Sequence, residues 1–488
     1  MTRRADAPRT RADFHAAGGV LVVVRPPPAP VPPAHGQPPM IPADPAEGVE
    51  VLLAVWDDGS VTGLCGHVDL GTGLRTSLAQ IVADELDVSF DAVSMALGDT
   101  ARAPNQGPTI ASASIQISAV PLRQAAAQAR AWLVSRAADR LGVPPEALET
   151  RDGAVVVRGD ASRRADYGPL VAGAHVELVL DTQVRVKTVD EYRLVGQRVP
   201  RVDLPAKAAG GAVYVHDLRV PGMLHGRVIR PPYAGFDAGE FVGRSLLSVD
   251  EASVAHLPGI VAVVAVGDFV GVVAEREEIA EQAMRTLVVR WKPWPGMASL
   301  ADVKNAVRTN PSTRRVLVEE GDVDAAIAGA ATPMAREYLW PYQLHASIGP
   351  SCAVAHWQGE RATVWTGSQN PHVLRADLAL LTGLPAPAIE VIRLEASGCY
   401  GRNCADDVAA DALLLSRAAG RPVRVQLTRE QEHLWEPKGA AQLMQVNGGL
   451  SADGRAVAYD FATSYPSNAA PTLALLLTGK VAPEPVAF

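Results

Sequence analysis

Three short segments, far apart in the chain, combine small residues with hydroxyls and backbone N–H groups. They are Gly66–Thr76 (Gly-His-Val-Asp-Leu-Gly-Thr-Gly-Leu-Arg-Thr), Gln106–Ser114 (Gln-Gly-Pro-Thr-Ile-Ala-Ser-Ala-Ser) and Glu395–Asn403 (Glu-Ala-Ser-Gly-Cys-Tyr-Gly-Arg-Asn). Residues without bulk let a backbone approach a ligand closely, and free N–H groups and hydroxyls then bond it. The first segment offers Gly71, Thr72 and Gly73, and the second offers Thr109, Ser112 and Ser114 around Ala111. The third offers Gly398, Cys399, Tyr400 and Gly401. Gln369, in Trp365–Pro371, adds an amide that both donates and accepts. Taken singly, each is a common loop or a capping amide. Brought together, they make sense as the walls of one cofactor site.

The surrounding patterns say what must hold these segments. Val49–Leu70 reads as strand, Asp57-Asp58-Gly59 turn, strand, and Leu74–Leu86 as an amphipathic helix. A second helix is expected over Leu122–Leu141, ending at Gly142. Ala353–His356, Ala362–Thr366 and Ile389–Leu394 read as strands, and Leu374–Leu381 as a helix. The glycine loop at 397–401 then precedes a helix from Ala405 to Arg417, with Asp406 and Asp407 placed to cap it. Between these lies Lys207–Trp291, with Pro221-Gly-Met-Leu-His-Gly226, two β-rich runs and a helix over Glu277–Thr286. Tyr214, Met223 and Leu224 are expected in its core.

At 488 residues, with 48% apolar and 20% charged residues, the chain is a multi-domain globular protein. A net charge of −8 and only 5% aromatics give no basis for binding nucleic acid. No apolar stretch is long enough to span a bilayer, so an integral membrane protein is not expected. Cys65, Cys352, Cys399 and Cys404 form no CxxC pair and read as mostly buried thiols. No Gly-x-Gly-x-x-Gly opens a helix ahead of an acidic residue, which argues against a nucleotide-dependent dehydrogenase.

Together the three segments resemble the pterin-binding loops of the xanthine dehydrogenase family of molybdenum hydroxylases, and Pro221–Gly226 resembles that family's α/β hammerhead domain. The Gly71–Gly73 and Ala111–Ser114 segments precede the hammerhead here, whereas most members have them after it. That order is similar to the isoquinoline 1-oxidoreductase and nicotinate dehydrogenase type. The resemblance implies a mixed α/β (α+β) fold of molybdopterin-binding domains with an inserted α/β hammerhead. The expected units are a leader and Pro-rich linker at 1–45, a molybdopterin-binding segment at 46–200, the hammerhead at 201–296 and a further molybdopterin-binding domain at 297–488. It also implies a molybdopterin-type molybdenum cofactor, with or without a cytosine dinucleotide extension. Gln369 would bond an oxygen of the metal centre, and Tyr400 and Gly401 would stand beside it. Gly71, Thr72, Gly73, Thr109, Ala111, Ser112, Ser114, Gly398 and Cys399 would hold the pterin and its phosphate. Thr72 departs from the family's glutamine.

The activity so implied is hydroxylation of an N-heteroaromatic carbon or an aldehyde, with water as oxygen source. Electrons would leave to a small [2Fe–2S] subunit, with a cytochrome c as a further acceptor. The family also carries an arginine loop and a Gly-Glu motif supplying a general base. Neither is found here: Glu240 and Glu360 follow glycines but in the wrong blocks. The chain is therefore expected to be truncated or split, and inactive alone. A non-catalytic remnant is the rival reading. His345 falls where relatives read His-Ala-x-x-Glu-Pro, and with Gly349 in the glutamate's place it is expected to be structural. At the amino terminus, Arg9–His15 and the apolar run Ala16–Val24 read either as a degraded twin-arginine signal with a short h-region or as an untargeted leader. The former favours the periplasm over the cytoplasm.

Overall fold

The computed structural model describes residues 8–27, 48–233, 236–296, 299–404, 407–466 and 472–482. Most of the expected Pro-rich linker, Asp406 and the side chain of Asp407 lie outside the described residues.

The first unit is a five-stranded sheet in the order Val93–Leu97, Val61–Cys65, Glu50–Trp56, Val20–Arg25, His175–Val179. Helices Leu74–Leu86 and Ala119–Leu141 cover one face. The long helix presents small residues to the core, Ala125, Ala126, Ala129 and Ala137 among them, which lets it lie close to the strands.

The apolar run in the expected leader is used differently from the sequence reading. Val20–Arg25 is an inner strand, antiparallel to Glu50–Trp56 and parallel to His175–Val179. Leu21 and Val23 enter the core under the helices, while Val20, Val22 and Val24 enter a second core with Phe14 and Trp56. A strand buried on both faces is apolar at every position, so it lacks the alternation that reveals a half-exposed strand. A short helix, Arg11–Ala16, leads into it with Thr10 and Asp13 forming a capping box.

A seven-stranded sheet forms the second unit: Ile260–Val266, Phe269–Ala274, Leu224–Ile229, Val423–Gln426, Cys352–Trp357, Ala362–Thr366, Ile389–Arg393. It crosses the boundary expected at 296. Leu224–Ile229 pairs in parallel with Val423–Gln426, and Leu224, Val228 and Phe269 share one core with Val364, Leu413 and Val425. Gly226 makes this possible, because a Cβ there would come within 2.7–2.9 Å of Leu415, Val423 and Val425. Of the three residues expected in the core, Leu224 is buried, while Tyr214 and Met223 are half-buried. Tyr214 instead makes a backbone bridge to Glu395.

A three-stranded sheet, Thr332–Trp340, Gln442–Leu450 and Ala456–Ser464, has no counterpart among the strands expected from sequence. Its outer strands are almost wholly exposed, so neither carries a burial pattern. Among the described residues, no helix is long and apolar enough to cross a membrane.

Candidate functional site

The first loop leaves the sheet after strand Val61–Cys65 and turns into helix Leu74–Leu86. Asp69, buried, closes the turn: Oδ1 accepts from the N–H groups of Gly71 (3.0 Å) and Gly73 (3.1 Å), and Oδ2 from that of Arg75 (3.0 Å). Gly71 and Gly73 both sit at positive φ, which this tight wrap around one carboxylate requires. Thr72 is exposed between them.

The second loop is pinned to the first. Gln106 Oε1 accepts the Gly66 N–H at 2.8 Å, and Thr109 Oγ1 accepts the Val68 N–H at 3.0 Å. His67 is 2% exposed and lies between Ser114 and Ser118, with Nδ1 to Ser114 Oγ at 2.7 Å and Nε2 to Ser118 Oγ at 2.9 Å. The two serines open and close a wide π turn, Ser114–Ser118, at the start of the long helix. Such turns re-aim side chains at sites. Burial lowers the His67 pKa, so the ring is neutral. The Gln106 carbonyl at 3.3 Å from Nε2 can only accept, which puts the imidazole proton on Nε2. Nδ1 then accepts the Ser114 hydroxyl proton. The Ser114 oxygen is left with lone pairs, an acceptor for a ligand N–H.

The third loop joins through Gln369, which is 3% exposed. Its backbone N–H donates to Asn403 O (3.1 Å) and its carbonyl accepts from Thr109 N–H (2.9 Å). The side-chain amide bridges the two loops: Nε2 donates to Thr109 O at 2.9 Å, and Oε1 accepts the Cys399 thiol at 2.8 Å. Ser347 Oγ donates to Cys399 O, and Arg402, at the loop's exit, is fixed by Glu432 at 2.8 Å with both side chains fully buried. The His345 ring stands where Gly401 has no Cβ, 3.1 Å from the position one would take. The His345 N–H donates to Glu436 Oε1 at 2.9 Å.

The structure thus brings Thr109, Gln369 and Cys399 into one hydrogen-bonded chain, with Ser114 held on the adjoining loop by His67. Ala111, Ser112 and Tyr400 are exposed beside them. Tyr400 packs its ring over Gly398, where a Cβ would lie 3.2 Å from it. Gln369 keeps only one amide hydrogen for a ligand, because its oxygen and its other hydrogen serve Cys399 and Thr109.

Backbone strain concentrates here. Among the described residues the non-glycine positions at positive φ are Asp87, Ala111, Ser112, Asp152, Ala346 and Tyr400. Four of these, Ala111, Ser112, Ala346 and Tyr400, lie on or against the loops just described. Each costs about 1–2 kcal/mol and persists where the surroundings hold it for a purpose. The loops are held in these conformations with open space beside Gly71.

Several residues of the site are not singled out by the sequence motifs. Asp69 and His67 lie within the first segment, and an aspartate two positions before Gly-x-Gly is a turn-closing signal. Ser118 stands four residues after Ser114, a helical spacing that places both on one side. Asn403 and Ser347 carry no such signal.

Two molybdopterin cofactor-binding domain models match the chain, at residues 29–216 and 307–481. The loops described fall within those two spans. The chain is 59% identical over 483 residues to a subunit of nicotinate dehydrogenase from Pseudomonas putida, a match covering 98% of this chain. The chain belongs to the molybdopterin-binding subunits of the molybdenum hydroxylase family. A further member, the beta subunit of isoquinoline 1-oxidoreductase from Brevundimonas diminuta, is 29% identical across 86% of this chain. This molybdopterin-binding chain spans 40% of the length of the former relative and 60% of the latter. Among solved structures, quinoline 2-oxidoreductase from Pseudomonas putida 86 superposes on 55% of this chain and 39% of its own, with 21% identity and a TM-score of 0.46.

Proposed function

We propose that this chain holds the pterin cofactor of a hydroxylase acting on an N-heteroaromatic carbon, and that Gln369, Thr109, Ser112, Ser114, Cys399, Tyr400 and Gly401 are its contact residues. The observation that supports this most is the single hydrogen-bonded chain from Asn403 through Gln369 to Thr109 and Cys399, which gathers loops from both matched spans around one open cradle. The substrate class follows the nicotinate dehydrogenase relative, at 59% identity, over the aldehyde alternative.

The cofactor, when bound, supplies the two-electron chemistry and the activated oxygen derived from water. The chain's own residues bind and orient it. The Ser114 oxygen, whose hydroxyl proton is engaged by His67, would accept a pterin N–H. The remaining Gln369 amide hydrogen would donate to an oxygen of the bound group, and the exposed Tyr400 ring would cover it against water. Both relatives are named as one part of a multi-part enzyme, which supports electron transfer to a separate [2Fe–2S] polypeptide.

The protein, purified with the polypeptides that accompany it, is expected to oxidise nicotinate with an artificial acceptor and to place oxygen from isotope-labelled water in the product. Turnover of aldehydes but not of N-heterocycles would move the substrate class. Absence of turnover with both would overturn the reading.

A further inference from the structure

The third loop needs an outside hold. Gly398, Tyr400 and Gly401 sit at φ 102°, 56° and 104°, and Ala346 on the neighbouring turn sits at 52°. Conformations of this kind persist where surrounding contacts over-determine them. On one side runs the chain at 214–216. There Tyr214 bridges Glu395, the Val215 N–H donates to Glu395 O at 2.9 Å, and the His216 ring reaches Ser397. On the other side is the turn at 345–350, where the Gly349 N–H donates to Ser397 O at 2.9 Å and Ser347 Oγ to Cys399 O at 3.2 Å.

His216 spans the two. Its Nδ1 lies 3.3 Å from Ser397 Oγ and its Nε2 2.8 Å from Pro350 O. The Pro350 carbonyl can only accept, so the imidazole proton is on Nε2 and Nδ1 takes the Ser397 hydroxyl proton. Burial is the largest influence on the ring and lowers its pKa; Arg424 acts the same way, while the Pro350 carbonyl, Asp217 and Glu432 oppose it. The ring is therefore neutral. Its backbone is fixed as well, since Arg219 Nη1 and Arg424 Nη2 both donate to His216 O, at 3.2 and 3.3 Å. A Cβ at Gly349 would lie 2.7 Å from Ser397 Cβ and 3.1 Å from His216 Nε2. That closeness accounts for a glycine where the resembling pattern has glutamate: a side chain there would displace the serine or the histidine.

We propose that His216 is a positioning residue for the cofactor loop, acting through Ser397 to hold residues 397–401 in the course a ligand meets, an inference that rests on these loops being the pterin site. One accepting and one donating nitrogen clasp the loop to the turn at 345–350, as His67 clasps Ser114 on the second loop. A loop already held in its bound course loses less freedom when the ligand arrives. Cys399 reports on this hold, because its thiol is 4% exposed and bonded to Gln369 from within the same loop. Cys352, also 4% exposed, opens the strand Cys352–Trp357 and reports on the unit as a whole.

The test follows alkylation of each cysteine by iodoacetamide, read by mass spectrometry, on the whole chain stripped of pterin. Pterin release from the loaded chain is followed separately by fluorescence. In the parent Cys399 should react slowly and the exposed Cys404 quickly. His216→Gln keeps a donor for Pro350 O but not the acceptor for Ser397, whereas His216→Asn keeps the acceptor. His216→Gln and Ser397→Ala should each speed Cys399 labelling and pterin release about tenfold, the effect of one lost hydrogen bond. The two together should do no more than either alone, and His216→Asn should stay within about twofold of the parent. Gly349→Ala should mimic Ser397→Ala although it removes no polar group. Cys352 should keep the parent's rate throughout. Additive effects, equal losses in the Asn and Gln variants, or a matching rise at Cys352 would show a merely structural histidine and overturn the proposal. Parental Cys399 labelling in His216→Gln would overturn it too, as would faster labelling without faster pterin release. A parent that carries no pterin overturns the pterin reading, and the Cys399 rates still decide the clasp.

Discussion

Gln369 and Thr109 lie 260 positions apart and exchange two hydrogen bonds, each 2.9 Å long, backbone N–H to backbone carbonyl in one direction and side-chain amide to backbone carbonyl in the other. The second is replaceable by no shorter residue. Gln369→Ala leaves the Thr109 carbonyl and the Cys399 thiol unpaired in a buried setting. The expected cost is about 1–3 kcal/mol, read as a lower urea midpoint for the transition that involves both loops. An unchanged midpoint would mean the amide carries no structural burden and is free for a ligand.

How much of this is visible in the sequence depends on the kind of residue. Loops whose function needs small or hydroxylated residues announce themselves, and Thr109, Gln369 and Cys399 do meet in space. Helices Leu74–Leu86 and Glu277–Thr286 have the expected bounds, because one face of each is apolar and the other is not. Val20–Arg25 is hidden for the opposite reason: a strand with two buried faces has the composition of a short signal core. The sheet joining Leu224–Ile229 to Val423–Gln426 is equally hidden, since parallel pairing between distant segments leaves no local trace.

The exit of the third loop should be the most sensitive place in the second unit. Glu432 receives Arg402 Nε at 2.8 Å, the Ser351 N–H at 3.0 Å and the Ser351 hydroxyl at 3.1 Å, with no solvent exposure. Glu432→Ala removes the carboxylate that holds Arg402 Nε and leaves the buried Ser351 N–H without its acceptor, at a cost of about 3–5 kcal/mol. Thermal melting should show the loss directly, and a drop no larger than that of a surface Glu→Ala control would refute the assignment.

Acid should loosen the contact between the two units through His372. Both of its ring nitrogens are buried without a hydrogen bond. Burial, aided by Arg375 and Arg11 and opposed by the Pro104 and Ala103 carbonyls, pushes it down to about 3 from an ordinary 6.5. The unfolded chain therefore binds a proton between these values that the folded chain does not. Stability is full above pH 6.5 and falls as pH drops toward 3, by up to about 1.4 kcal/mol per pH unit for this group. His372→Leu should flatten the melting temperature between neutrality and acid. An unaltered pH profile in that variant would show that other groups govern acid sensitivity.

Whether the cradle holds a pterin is the question on which every functional assignment above depends. The direct measurement is the pterin and molybdenum content of the chain purified from a cofactor-making host, beside that of the variant carrying both Ser112→Ala and Ser114→Ala. We expect the parent to retain pterin and the double variant to lose most of it, with unchanged far-ultraviolet circular dichroism. Removing two hydroxyls at charge-assisted or polar contacts weakens binding by about tenfold each. A parent free of pterin, or a double variant with the parent's full complement, would contradict it.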